Sequence, residues 1–404
     1  MRYHSEKRPV SRQTTRAMEE RRKAQLEKAR ESSELARGPV DLPFLVLVIL
    51  LTGIGLVMLL SASFPSAYYE TAGKNPMFYF IRQGVFAIMG IAAMLFISKI
   101  NYQWFRRFSR LILFVSVILL VFVLIPGVGL MRNNARRWLG IGELTFQPSE
   151  IAKVAIVIYF SDSISKKKGK MRTFRYGILP YALLLIVVAV LVGLEPHLSG
   201  AILIMGAGAV LMLVGGIQWR WVLGAVGAAA AMLYLVLGVI GYNASRIEMW
   251  HNPWADAQGA GYQLSQSLIS IGSGGLLGVG LGRSRQKFLF LPEEHNDFIF
   301  AIVCEELGLI GATMIMLLFA ALILRGYWIA LHARDRFGSL LVVGVITLIA
   351  LQTFLNIAVV TGLLPTTGIS LPFFSYGGTA LSIQLAEMGI VLSVSRQMKP
   401  TKAG

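Results

Sequence analysis

Ten apolar runs of roughly 20 residues dominate this chain of 404 residues, near 43–63, 78–98, 109–126, 149–165, 177–194, 199–216, 220–241, 298–323, 339–361 and 376–395. A run of that length crosses the hydrocarbon core of a bilayer as a helix. Lipid offers no partner for unpaired backbone groups, so an open sheet cannot take its place. The expected fold is an all-α integral membrane protein of about ten transmembrane helices, with one long outer loop between spans seven and eight. The single cysteine, Cys304, lies inside the eighth run and excludes an intrachain disulfide or a cysteine-based metal framework. The first 41 residues hold no apolar h-region, so no cleavable signal peptide is expected.

The net charge of +17 would suit a nucleic-acid partner, but its distribution argues for topology instead. With the N-terminus in the cytoplasm, the inner segments hold 28 Lys and Arg and the outer loops hold 8. That asymmetry follows the positive-inside rule and places both termini in the cytoplasm. Three regions result: a charged tail over 1–41, a ten-helix membrane domain over 42–396, and a short tail over 397–404. The centre of the first tail, MEERRKAQLEKARESSELA, has good helix formers but too few apolar residues for a core.

The outer loop over 242–297 is far longer than the rest, and its Trp250, Trp254, Tyr262 and Phe288 favour order. Its glycine-rich run, Ile271 to Gly282, lacks the strand-then-helix context of a nucleotide fingerprint and is expected to serve close backbone packing or a re-entrant turn. Just before it, Tyr262, Leu264, Leu268 and Ile269 fall at helical spacing, as in a short amphipathic helix at the interface. The ninth loop, GLLPTTGISLPFFSYGG, is uncharged and repeatedly broken by Pro and Gly. Broken backbone at membrane depth must be buried in protein or line a cavity, so this loop is expected to dip back beside span eight.

Chemistry-bearing residues concentrate in RSRQKFLFLPEEHNDFIFAIVCEELG, from Arg283 to Gly308. Arg283, Arg285 and Lys287 precede the group Glu293, Glu294, His295, Asn296 and Asp297, which abuts the eighth span. The group could be an ordinary helix start, with Asn296 or Asp297 as the N-cap. Arg136, Arg137 and Arg246 also stay outside against the positive-inside rule; salt bridges to nearby acids or an anionic ligand such as a phosphate would each account for them. Inside the spans, Glu150 and Lys153 can pair at i,i+3, and Glu305, Glu306 and Glu387 add carboxylates of the kind that also serve proton-coupled transporters.

Three motifs resemble one family. NNARRWLGIGELTFQPSEIAK (Asn133 to Lys153) is similar to the N-G-A-x-R-W and Q-P-S-E-x-x-K signature of the SEDS proteins (shape, elongation, division, sporulation), with Asn134 where glycine is usual. LPEEHNDFIFAIVCEELG resembles the family block around its proposed catalytic aspartate, which falls on Asp297. GLLPTTGISLPFFSYGG resembles the family's P-x-T-G and S-Y-G-G signature, which contains Ser375. EPHLSGA departs from the family's E-P-D-x-G pattern, because His197 stands at the acidic position. The resemblance covers nearly the whole chain after residue 41 and leans to the FtsW-like, division branch.

The resemblance implies a peptidoglycan glycosyltransferase that polymerises lipid II, an undecaprenyl-pyrophosphate disaccharide-pentapeptide, on the outer face of the bacterial cytoplasmic membrane at the division septum. It implies a class B penicillin-binding protein transpeptidase as partner, other division membrane proteins as neighbours, and no nucleic acid. Asp297 is then the general base. Arg136, Arg137, Arg246, Arg283, Arg285, Lys287, His295 and Ser375 are candidates for substrate contacts, and Glu150 with Lys153 a cavity or structural pair. A divalent cation, Mg or Mn, beside the pyrophosphate suits the chemistry, although no ligand set of metal-site spacing is visible. A lipid II flippase using the same cavity, or a non-catalytic division scaffold, are the alternatives.

Overall fold

Asp41 starts the first helix: its carboxylate accepts the Phe44 backbone N–H at 3.0 Å, and Pro43 follows in the first turn. The same carboxylate receives Arg325 at 3.0 and 2.8 Å, tying the start of the bundle to a residue 284 positions further along the chain. The computed structural model describes residues 38–132, 135–141, 144–221, 223–224, 227 and 244–398. Among them, α1 is Leu42–Glu70, α2 Phe78–Ile97 and α3 Gln103–Leu124. A small antiparallel sheet of β1 Leu130–Arg132, β2 Ala135–Ile141 and β3 Leu144–Phe146 leads into α4, Pro148–Lys167. Next come α5 Leu179–Leu194, α6 Leu198–Val214, α7 Ala244–His251, α8 Tyr262–Gly274, α9 Ile299–Leu331, α10 Arg336–Val360 and α11 Thr379–Ser395.

Nine of the ten expected spans fall on these helices. The seventh, near 220–241, lies largely outside the described residues, as do most of the charged tail and the last six residues. Six helical stretches are long and apolar enough to cross a membrane, and α6 and α11 are shorter apolar helices. The chain is a multi-pass membrane protein. The bundle is layered: 72% of the apolar window of α10 is buried, against 22% in α2 and α3. Thus α10 is enclosed by α4, α6, α9 and α11, and α2 and α3 turn apolar faces outward to lipid.

Successive spans run up and down, so one end of the bundle collects the ends of α1, α3, α5 and α10, the starts of α2, α4, α6, α9 and α11, the sheet, α7 and α8. Nothing in the periodicity singled out the sheet, two of whose strands have only 3 residues.

The long outer loop is ordered where it is described. Trp250 of α7 donates to the Gly362 carbonyl at 2.9 Å. Helix α8 forms where expected, with Leu264 buried, and the rest of its protein-facing side is small and polar. Ser267 donates to the Val360 carbonyl at 2.8 Å and Ser270 to the Ala301 carbonyl at 3.1 Å, while Ile269 stays exposed. Small side chains let α8 approach α9 more closely than a leucine stripe would.

The glycine-rich run is close backbone packing, as its composition implied. Helix α9 breaks at Gly308, whose φ of 68° lies in the left-handed region. Residues 275–280 fill the break: Val279 and Gly280 donate to the Glu305 and Glu306 carbonyls at 3.0 and 3.1 Å, and Leu309 and Ile310 donate to the Gly275 and Leu276 carbonyls at 2.9 and 3.2 Å. These four bonds replace helical bonds lost at the break. A Cβ on Gly278 would lie 2.1 Å from the Glu306 carbonyl oxygen, which excludes any side chain there.

Candidate active site

The ninth loop packs against α1, α2 and the segment before α9. Gln83, a polar residue within α2, holds it: Nε2 donates to the Ser375 carbonyl at 3.1 Å, and Oε1 accepts from Gly377 and Gly378 at 3.2 and 2.9 Å. Lower down, the Phe373 carbonyl lies against Gly55 in the middle of α1, and Phe373 and Phe374 pack on Phe319 of α9. The loop therefore dips to membrane depth, as its broken backbone implied.

That loop is stitched to the segment before α9. The Ser375 hydroxyl accepts the Leu371 N–H at 2.7 Å and donates to the Asn296 carbonyl at 2.7 Å. Tyr376 N–H donates to the His295 carbonyl at 2.9 Å. Asn356 of α10 donates to the Asp297 and Ile369 carbonyls at 2.7 and 2.6 Å. Gln83 and Asn356 are missing from the sequence-derived candidates, although a carboxamide inside an apolar span is itself a signal. Ser375, expected as a substrate contact, is buried and uses both hydrogen-bonding capacities to position the backbone beside Asp297.

Asp297 stands at the centre of this junction. The alternative in which Asn296 or Asp297 is the helix N-cap does not hold: Phe298 is the N-cap of α9, without a side-chain cap bond, and Asn296 donates instead to Glu293 at 2.5 Å. The Asp297 carboxylate faces Gly368, where φ is +69° and an added Cβ would lie 3.2 Å from Oδ2. Burial pushes its carboxyl up to about 6, assisted by the Glu293 charge and opposed by Arg137 and His295. His295 is half-buried, its ring 4.5 Å from that of Tyr79, with Nδ1 3.4 Å from Glu294. Glu294 in turn accepts from Ser66 of α1, and Tyr79 donates to Glu70.

Of the two arginines on β2, Arg137 is the one brought to this site; the β1–β2 register shifts at the pair, with Leu130 opposite Trp138 and Met131 opposite Arg136. Arg137 donates Nε to the Glu195 carbonyl at 3.1 Å and Nη2 to the Pro196 carbonyl, at the negative end of α5. Glu195 is fully buried, and neither carboxyl oxygen has a hydrogen-bond partner among the described residues. Burial pushes it up to about 8, against the pull of Arg137. His197 lies beside it, with Nδ1 3.1 Å from Gln147 Nε2 and 3.2 Å from Ser149 Oγ. Burial, with Arg137 and Lys153 nearby, holds its imidazole down at about 3. A neutral acceptor thus fills the position at which the family pattern has an acid.

Below this group, Lys153 and Glu150 form the expected buried pair at 2.8 Å, and Glu387 of α11 faces them. Ionisable groups therefore run from Asp297 through Arg137 and His197 into the bundle.

The remaining cations separate. Arg283 and Arg285 are exposed on the outer loop. Lys287 is instead 4% exposed and bonded to Glu306 at 2.9 Å and Ser61 at 3.0 Å, so its charge is directed inward. Arg246 belongs to α7, but its side chain lies outside the described residues. Among the described residues no three His, Cys, Asp or Glu side chains are grouped to hold a metal ion.

The family pattern named FTSW_RODA_SPOVE, described as cell cycle protein, matches residues 42–400. The chain belongs to this family. Stage V sporulation protein E of Bacillus subtilis is 43% identical over 358 residues, which cover 88% of this chain and 97% of that one. The probable peptidoglycan glycosyltransferase FtsW of Geobacter metallireducens is 43% identical over 363 residues, covering 89% and 96%. Among solved structures, a chain of a peptidoglycan synthase complex that coordinates polymerization and crosslinking matches with TM-score 0.75 and 27% identity, over 89% of this chain and 98% of that one. The rod shape determining protein RodA of Thermus thermophilus matches with TM-score 0.66 and 26% identity, over 90% and 99%.

Proposed function

We propose that this protein is a peptidoglycan glycosyltransferase that polymerises lipid II at the outer membrane face, with Asp297 as general base. The observation that carries the assignment is the placement of Asp297: a half-buried carboxylate, not used as a helix cap, held at the junction of the re-entrant loop and α9. In the reaction an acceptor sugar hydroxyl attacks the donor's anomeric carbon. The carbon–oxygen bond to pyrophosphate breaks with its electron pair on the leaving group, the glycosidic bond forms, and the hydroxyl proton passes to Asp297. Exposed Arg283 and Arg285 suit the leaving pyrophosphate. Arg137 lies beside Asp297, while Lys287 and Ser375 hold the loops around it through Glu306 and the Asn296 carbonyl.

Asp297 acts as a base only when ionised. With its carboxyl near pH 6, the single-turnover rate rises with pH through about 6 and levels above it. A rate flat from pH 5 to 8 would remove Asp297 from the proton transfer.

The direct test is polymerisation of purified lipid II by reconstituted protein, with and without its transpeptidase. The structural neighbour from a synthase complex and the lack of a soluble domain in the described chain support a class B penicillin-binding protein as partner. Activity is expected to be low alone and to rise on co-purification with that partner; equal activity with and without every cognate transpeptidase contradicts activation. We place the protein at the division septum, among other division membrane proteins.

Orientation is tested by labelling. After Cys304→Ser, an impermeant thiol reagent should label Ser273→Cys in intact cells and spare Ser5→Cys. The reverse pattern would put Asp297 on the wrong side of the membrane. The buried Glu150–Lys153 pair with Glu387 favours one second reading, a lipid II flippase. That reading predicts transport without polymer in the same vesicles.

A further inference from the structure

At the end of the bundle away from Asp297, a cavity of about 370 Å³ opens between the first turns of α3 and the last turn of α4. We propose that it holds the phosphate headgroup of an anionic phospholipid, whose acyl chains lie along α3. Four cations line it: Arg106, Arg107, Arg110 and Lys166. Two acids face them, and both are already engaged. Asp162 is buried and receives Arg106 at 3.1 Å, Lys166 at 2.6 Å and Ser109 at 3.0 Å. Asp335 caps α10 through Gly338 N–H at 3.0 Å and also accepts from Tyr102 at 2.7 Å and Gln103 at 2.9 Å; Arg106 Nη1 is 4.0 Å away. These contacts fix Arg106 and Lys166 in place. Arg107 and Arg110 are exposed, and among the described residues neither joins an ion pair.

The placement is electrostatically one-sided. The start of a helix is its positive end and favours acids, yet the first turn of α3 has none and its second and third turns carry three arginines. A bound anion would reconcile the cations with the helix end, and guanidinium forks match phosphate oxygens.

The apolar surface identifies the source of that phosphate. Arg107 is followed at i+4 by Leu111, and Arg110 by Phe114; with Val115 these side chains are exposed to the bilayer. Trp104, also exposed, packs 4.5 Å from Phe108 at the same level, as aromatic side chains do at a headgroup layer. A diffusible phosphate would leave this apolar face unexplained, whereas a phospholipid covers both parts. Either orientation of the chain leaves this end at a headgroup layer, so the inference stands apart from the assignment of Asp297.

The test uses the full chain, equilibrated with phosphatidylcholine vesicles containing phosphatidylglycerol as a minor component, then extracted and weighed by native mass spectrometry. Wild-type protein should retain phosphatidylglycerol in preference to phosphatidylcholine. Arg107→Gln/Arg110→Gln should lower that retention about thirtyfold, from the loss of two surface cations, and Arg107→Lys/Arg110→Lys should keep most of it. Lys170→Gln/Arg172→Gln, which removes the same charge from an exposed 3-10 turn outside the cavity, should change little. Three results would each overturn the proposal: unchanged retention in the Gln pair, an equal loss in the control pair, or displacement of the lipid by millimolar inorganic phosphate.

Discussion

Asp297→Asn should lower glycan polymerisation by about 10²–10⁴-fold, the range for losing a general base, while folding, insertion and partner binding persist. Asparagine keeps the size of the side chain, and the contact that anchors this residue, Asn356 to the Asp297 carbonyl at 2.7 Å, is to the backbone. No cap bond is lost, because Phe298 is the N-cap. The sign of the stability effect separates a functional from a structural role. Burial raises the folded-state carboxyl to about 6 from 3.8, so the folded chain binds more protons than the unfolded chain between those values. Stability therefore falls as pH rises from about 4 to about 6 and stays lower above that. Removing the ionisable group should leave the variant at least as stable as wild type at pH 8. A folded Asp297→Asn protein that still makes long strands would falsify the general-base assignment and turn attention to Glu293, Glu294 and His295. A variant that is both inactive and unfolded would make Asp297 a structural residue.

Much of the bundle was legible because lipid enforces a simple code: a run such as LPFLVLVILLTGIGLVML has no other stable state in a bilayer. The re-entry of the ninth loop was legible for the same reason, since Pro365 and Pro372 break a helix, Gly368 weakens one, and the freed backbone must be enclosed. Residue roles were less legible where two partners far apart in sequence decide them. Arg136 and Arg137 are chemically identical neighbours at a register shift of β2, and only the carbonyls of Glu195 and Pro196, far along the chain, single out Arg137. The serine face of α8 reads as polar until Val360 and Ala301 supply its carbonyls. The α9 break at Gly308, two residues after Glu306, lies inside the eighth apolar run, and what makes it stable is the distant run at 275–280. His197 looked like a loss of an acid; in place it accepts from neighbours that an acid could also serve.

Lys287→Met should destabilise the fold more than any other single change to the outer cations. Lys287 is the buried counter-ion of Glu306, and their 2.9 Å pair is completed by Ser61, which bonds both partners. The same loop delivers Ser284 N–H to Glu306 at 3.3 Å, and Ser284 Oγ and Arg285 N–H to Glu305 at 2.5 and 2.9 Å. Two adjacent carboxylates thus clamp the 284–287 segment against the break in α9. Removing one partner of a buried pair leaves an uncompensated charge, at a cost of about 3–5 kcal/mol. That is a large part of a typical folding free energy of about 5–15 kcal/mol, so the single variant should accumulate poorly in the membrane and lose activity with it. Lys287→Met/Glu306→Gln removes both charges while the Gln carboxamide can still accept from Ser284. It should recover most of the protein level and thermal stability, and polymerisation should return with them. If Lys287 instead grips the substrate pyrophosphate, the double variant would regain its stability and remain inactive.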